Sequence, residues 1–498
     1  MKRVLSLLAA VCVAGAMAPR TGRCERSVFL SFSTLKLGTA SRIYAIGVDG
    51  ANRVWFAADT GVAALVGDRL APFFPLNKNS DGLLDDAARG VAFGALEEGE
   101  SFFLGFNGAS EDTRGIQYGR VLSETGLSPK PPVSLDTGGP GVLDLASDGS
   151  TLWAATTSGV RSWALGGGAP QPNTPTYRQG DEITRLALAP WAADPALVLF
   201  DSKDARLYLV RTDDSSAARL ADPNLSGLGG MAFSRLTGDL WVVGAPSSGT
   251  ADLLRYPAQA LQGSDPGSSQ PDGFSFPVNR TLRDVAVDPF DGTVWVATDQ
   301  GAYFQTPGTD GSLQGIECSE ADLPGRGCWA QEESSRFDRV DRIAVDPSGN
   351  VWMGTDEGVR GVLVRLLTIS ATRFVGEDAR AVVTLEDLPG FEGNGAPEEV
   401  TTVGVAVGGT TRQLEVTEDG DTGRFTLTFG FTLGESTSDT VFPVQSTADG
   451  VPVAVTYTFT DALGVERTLE VSASWANIEK FEDDLWIGGP CFLGVLDR

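Results

Sequence analysis

The chain has no histidine, and only 4 methionines and 5 cysteines among its 498 residues. It is also short of cations, with 38 Lys and Arg against 65 Asp and Glu. Missing histidine excludes Ser-His-Asp and Cys-His nucleophilic catalysis, histidine-ligated zinc or iron, and a histidine pH switch. A formal charge of −27 is a poor basis for gripping a phosphate backbone or an anionic bilayer, so no nucleic-acid partner is expected. Acidity of this degree also serves solubility alone and does not by itself demand a cationic partner. Beyond residues 1–18 no apolar run approaches the ~18 residues of a membrane helix, so no direct membrane span is expected.

Glycine and proline are plentiful, at 61 and 27 residues, which suits a chain of many short strands joined by tight turns. Residues 1–18, MKRVLSLLAAVCVAGAMA, combine a basic start, an apolar stretch and small residues, the pattern of a secretory signal peptide. The expected location is therefore secreted, periplasmic or on the outer cell surface. Beyond that leader stand Cys24, Cys318, Cys328 and Cys491, an even number for an oxidising compartment. Cys318 and Cys328 flank the polar loop CSEADLPGRGC and are expected to staple it. Cys24 and Cys491 sit near the two ends, where a bridge would tie the termini together; the alternative is two unpaired thiols.

A repeat runs through residues 27–366. RIAVDPSGNVWMGTDEGVRGVL (342–363) and RDVAVDPFDGTVWVATDQGAYFQ (283–305) are its clearest copies. Each reads apolar strand, Asp/Gly turn, strand carrying an aromatic residue, polar break with Gly, and another strand. Trp55, Trp153, Trp241, Trp295 and Trp352 mark equivalent places, with Phe103 in the same position of a degenerate copy and a second degenerate copy at 184–211. The spacing yields seven units of about 50 residues, the length of a four-stranded propeller blade. These aromatic residues are read as core, filling the wedges between neighbouring sheets. The seventh unit lacks an outer strand, and SVFLSFST (27–34) alternates suitably to supply it, leaving no open sheet edge.

The pattern I-x-x-D-x-x-G-x-x-W-x-G-T-x-x-G-V, clearest in residues 343–359, resembles the two-component-regulator type of β-propeller repeat. That resemblance implies a seven-bladed β-propeller of the periplasm or cell exterior. Family members often precede a membrane span and a histidine kinase, neither of which follows here.

Residues 367–477 change character to about seven Thr/Val-rich strands spaced by Gly, Pro and Asp turns, the pattern of a β-sandwich. LEVTEDGDTGRFTLTF and VPVAVTYTFTDALG resemble an immunoglobulin-like repeat of bacterial and archaeal surface proteins, without the paired cysteines of antibody domains. The expected fold class is thus all-β, a seven-bladed propeller with a C-terminal immunoglobulin-like sandwich. The tail, 478–498, is expected to fold back onto the domains, with docking to a neighbouring protein as the alternative.

One stretch has metal-ligand spacing. Asn77, Asn79, Asp81, Gly82 and Asp85 fit N-x-N-x-D-G-x-x-D, the opening of many calcium loops, although Ala88 stands where a bidentate acid is usual. The plainer reading is a polar turn between the first two units. Asp49, Asp148, Asp288 and Asp346 recur at matching places, which points to turn stabilisation and not to one catalytic site.

These observations favour a non-enzymatic recognition or assembly protein that presents propeller loops to a protein or glycan partner, as a homo- or hetero-assembly at the cell surface. The long inserts at 256–280 and 306–338 are the expected contact surface. The rivals are an exported hydrolase or lyase with a metal or carboxylate centre in the propeller channel, and a periplasmic ligand sensor. Three or more acids converging on the channel axis favour the enzyme.

Overall fold

The structure is a computed structural model that describes residues 26–476 apart from short stretches, the longest being 319–326 and 387–399. The expected signal peptide, the expected Cys24–Cys491 pairing and the tail lie outside the described residues. The chain is all-β, with seven consecutive four-stranded antiparallel sheets followed by a four-stranded and a five-stranded sheet. The inner strands of the first seven are Ile43–Val48, Ala88–Leu96, Val142–Ser147, Ile183–Leu188, Leu225–Phe233, Leu282–Val287 and Val340–Val345. Each touches the inner strand of the next sheet, and the seventh touches the first, so the sheets form a ring.

Turn chemistry and wedge packing build each sheet. The recurring aspartates end the inner strands and accept backbone N–H bonds: Asp49 from Arg53 at 2.8 Å, Asp148 from Thr151 at 2.7 Å, Asp288 from Phe290 at 2.8 Å and Asp346 from Asn350 at 3.0 Å. Two of them also hold the aromatic residue that follows, Trp55 Nε1–H donating to Asp49 at 2.8 Å and Trp352 Nε1–H to Asp346 at 3.1 Å. Trp55, Phe103, Trp153, Trp241, Trp295 and Trp352 are at most 3% exposed. Each packs against the next sheet round the ring, as Trp55 does against Val91, Phe102 and Leu104, and Trp295 against Val340, Ile343 and Met353. The fourth sheet departs from this plan. Val198 pairs with Ala187 where its neighbours carry an aromatic residue, and Trp191 lies in the preceding turn against Phe233.

The ring closes between its two ends in sequence. Arg26–Ser31 forms the outer strand of the seventh sheet, antiparallel to Gly358–Leu363 with Leu30 opposite Val359. Phe32, Leu35 and Leu37 then enter the core shared by the seventh and first sheets, beside Trp352 and Phe56. Gly358 takes φ +152, and a Cβ there would lie 2.2 Å from the Leu30 carbonyl oxygen, so the closing strand can approach only a glycine.

Beyond Leu363 the strand Leu366–Ile369 already belongs to the second unit, pairing with Arg380–Glu386. Among the described residues that unit has nine strands where about seven were expected. The stretch LTISATRF is two strands, because after Ile369 the chain leaves one sheet and Arg373–Val375 runs parallel to the last strand of the other. A short strand, Val441–Pro443, adds to the first sheet beside Gly430–Thr432. Phe425, Phe429, Val453, Val455 and Trp475 join in one core drawn from both sheets.

Candidate functional site

Inner-strand residues of all seven ring sheets line one central cavity of about 460 Å³, each sheet contributing as Tyr44, Val91, Asp144, Arg185, Met231, Asp284 and Arg342 do. The register of every inner strand shifts by one residue near its start, at Ile43/Ala45, Ala88/Gly90, Val142/Asp144, Ile183/Arg185, Leu228/Gly230, Leu282/Asp284 and Val340/Arg342. A bulge of this kind bends the strand and re-aims its side chains. The residue after it is charged in four sheets, which is how Asp144, Arg185, Asp284 and Arg342 come to line the axis.

The two aspartates act alike. Asp144 accepts from Leu186 N–H at 3.0 Å and Asp284 from Ile343 N–H at 3.1 Å, each tying its own sheet to the next. Gly230 makes room for the second, since a Cβ there would meet Asp284 Oδ1 at 1.9 Å. Burial pushes the Asp284 carboxyl up to about 7, with Asp144 adding to the rise, against the pull of Arg185 and of the Ile343 and Val285 N–H groups. Asp144 is raised in the same direction, again chiefly by burial and opposed by Arg185. Arg342 Nε donates to the Tyr44 carbonyl at 2.7 Å, which links the seventh sheet to the first. Among the described residues no group of three or more Asp, Glu or Cys is gathered to hold a metal ion.

Lys78–Asp81 form a helical turn capped by Asn77 and Gly82. Asn77 Oδ1 accepts from the Asn79 and Ser80 N–H groups at 3.0 and 2.9 Å, and buried Asp81 accepts from Asn77 N–H at 3.0 Å. Asp85 accepts from Asp86 N–H at 2.8 Å, while Asn79 is exposed. A calcium ion needs several oxygens facing one point and would compete with these donors for Asn77, Asp81 and Asp85.

The two long inserts lock together. Cys318 and Cys328 are joined by a disulfide. Trp329 beside it is 1% exposed, and its ring meets Phe276 of the other insert edge-on at 5.0 Å. Leu313, Phe276 and Trp329 extend the core between the fifth and sixth sheets. Arg255 ties both inserts, donating to the Asp272 carboxylate at 2.7 Å and the Asp310 carbonyl at 3.0 Å. On the outside of this layer Ile316 is 58% exposed.

The charged axis escaped sequence reasoning, although a signal was present. Leu143-Asp144, Thr184-Arg185, Arg283-Asp284 and Asp341-Arg342 interrupt apolar strands at the same repeat position, and a charge there has no reason in a sheet core.

Fold and site thus describe an all-β chain with a closed ring of sheets and a polar axis. No family model and no curated protein sequence matches it. Among solved structures it is similar to the extracellular domain of a hybrid two-component system from B. thetaiotaomicron, with 13% identity, a TM-score of 0.46, and coverage of 87% of this chain and 51% of that one. It is also similar to PorZ, described as an essential surface component of the type-IX secretion system of Porphyromonas gingivalis. There the identity is 12%, the TM-score 0.44, and the coverage 87% of this chain and 59% of that one. The chain therefore spans about half to three fifths of the length of these neighbours.

Proposed function

We propose that the ring is a seven-bladed β-propeller, that the second unit is an immunoglobulin-like sandwich, and that the protein is an exported, non-enzymatic recognition or assembly module. Its contact surface is the layer formed by inserts 256–280 and 306–338. The observation that carries this reading is the construction of that layer: a disulfide, a buried tryptophan and an arginine clamp tie its described residues together while Ile316 faces solvent. Rigid presentation of an apolar side chain lowers the entropy lost on binding a partner. The leader-like pattern of residues 1–18 supports a location outside the cytoplasm, where a protein or glycan partner is available.

The test is cross-linking on intact cells followed by purification of the full chain, with wild type and Ile316→Asp side by side. One partner recovered in stoichiometric amount with wild type and lost with the variant supports the reading. Metal-dependent turnover of a substrate by the purified protein overturns it. A second reading, an exported hydrolase or lyase, is favoured by one observation: a carboxyl near 7 in a cavity is in the range of a general acid or base. Loss of turnover in Asp284→Asn, with Ile316→Asp unaffected, is the result that reading requires.

A further inference from the structure

At the end of the channel where the inner strands begin, five arginines gather about Asp341 and Tyr44. Arg339 donates from Nε and Nη2 to the two oxygens of Asp341 at 3.2 and 3.1 Å, and Arg283 adds Nη1 at 3.3 Å. Arg42 Nε stands 4.0 Å from the same carboxylate. The guanidinium carbons of Arg89 and Arg42 lie 3.8 and 5.3 Å from the centre of the Tyr44 ring, and Arg342 donates to the carbonyl of that residue. The cluster thus draws on the first, second, sixth and seventh sheets, on a chain whose formal charge is −27.

Its donors exceed its acceptors. Asp341 is buried, with its side chain 1% exposed, and is the carboxylate on which three of the arginines converge. Other acids close by are already engaged with backbone groups: Asp284 with Ile343 N–H, Asp59 with Ser41 N–H, and Asp356 with Arg339 N–H. The Nε–H groups of Arg89 and Arg283 are buried and have no acceptor among the described residues. Leaving such donors unmet is a standing cost of the folded cluster. The site is open to solvent, since the side chains of Arg42, Arg283 and Arg339 are 46%, 31% and 36% exposed.

Forked guanidinium donors match the paired oxygens of a carboxylate or phosphate. We propose that the arginine-lined end of the channel binds the oxyanion, carboxylate or phosphate, of a small ligand whose remainder occupies the adjoining cavity. The cavity, about 460 Å³, has room for a sugar-sized body, and Tyr44 and Arg342 belong to both its wall and the cluster. This site is separate from the part of the insert layer around Ile316, which lies between the third and outer strands of its sheet, at the end opposite the starts of the inner strands, so either proposal can fail without the other.

The test is isothermal titration of the purified full chain at low ionic strength with inorganic phosphate, with D-glucuronate and with uncharged D-glucose. One or both anions should bind at a single site and glucose should not. Arg89→Met and Arg42→Gln should each weaken anion binding by about tenfold or more, as expected for a lost charge-assisted fork. Arg339 and Arg342 are left intact because they bridge sheets. If Arg89→Met fails to fold, the more exposed Arg42 variant decides alone. Which anion binds tells a phosphorylated from a carboxylated ligand. Absence of binding by both anions, equal binding of glucose, or wild-type affinity in every folded variant overturns the proposal.

Discussion

The ring and the second unit bury their residues by different rules. In the ring the second strand of a sheet is covered on both faces by its neighbours, so Val54–Ala58, Val294–Thr298 and Val351–Thr355 are buried at every position. In the second unit one face of each sheet meets the core and the other meets water, so Phe425, Leu427 and Phe429 are buried while Thr426 and Thr428 are exposed. The ring divides its apolar residues among successive inter-sheet wedges, whereas the second unit concentrates its own in one cluster. A ring of this kind is stable only when closed, because each sheet has no covering partner except its two neighbours. The sandwich needs only its second sheet.

The comparison breaks most readily at the closing strand. Gly358→Val puts a side chain into the Leu30 carbonyl and should cost the ring more than about 4 kcal/mol or prevent its folding, while the second unit keeps its own calorimetric transition. Loss of both transitions together would show that the two units are one cooperative body. Next in size, Trp295→Ala should destabilise the ring by about 3–5 kcal/mol, and Phe429→Ala should do the same to the second unit alone. Calorimetry of the two variants separates the effects, because each should lower one transition and leave the other in place.

A smaller effect separates the two by pH. The folded Asp284 carboxyl titrates near 7, above its unfolded value, so the folded ring holds a proton that the unfolded chain has released. Ring stability should therefore be highest below the unfolded value and fall as pH rises toward 7, with the penalty complete above it. Melting at about pH 5 and about pH 8 should show a drop for the ring transition that Asp284→Asn removes. An unchanged drop in that variant would assign the proton elsewhere. Smallest of all, Thr428→Lys on the water-facing side of the second unit should shift stability by less than about 0.5 kcal/mol, whereas Val296→Lys in the ring should unfold it.

Much of this architecture was legible from local pattern. Repeated aspartates announced the turns they stabilise, and the aromatic residue that follows announced the wedge it fills. The alternation of SVFLSFST (27–34) and the incomplete seventh unit pointed to the closing strand, which forms over Arg26–Ser31 while the chain turns at 32–34 and Phe32 enters the core. The spacing across CSEADLPGRGC suited the bridge between Cys318 and Cys328. Legibility failed where a strand changed partners. Nothing in LTISATRF shows that its first half pairs with Arg380–Glu386 and its second half with the last strand, because both halves alternate equally well. Trp191 of the degenerate copy 184–211 stands outside the strand position that the other aromatic residues hold, against Phe233.

By itself the sequence determined the elements: strand periodicity, turn residues and the hydrophobic weight of each unit are properties of neighbouring residues, set by backbone sterics and by which side chains avoid water. Only the tertiary structure decided what meets on the axis. Tyr44 and Arg342 lie 298 positions apart and touch because the last sheet returns to the first. Asp284 becomes a poor acid, and arginines of four sheets gather at one mouth, because closing the ring brings groups from distant segments into a space with little water.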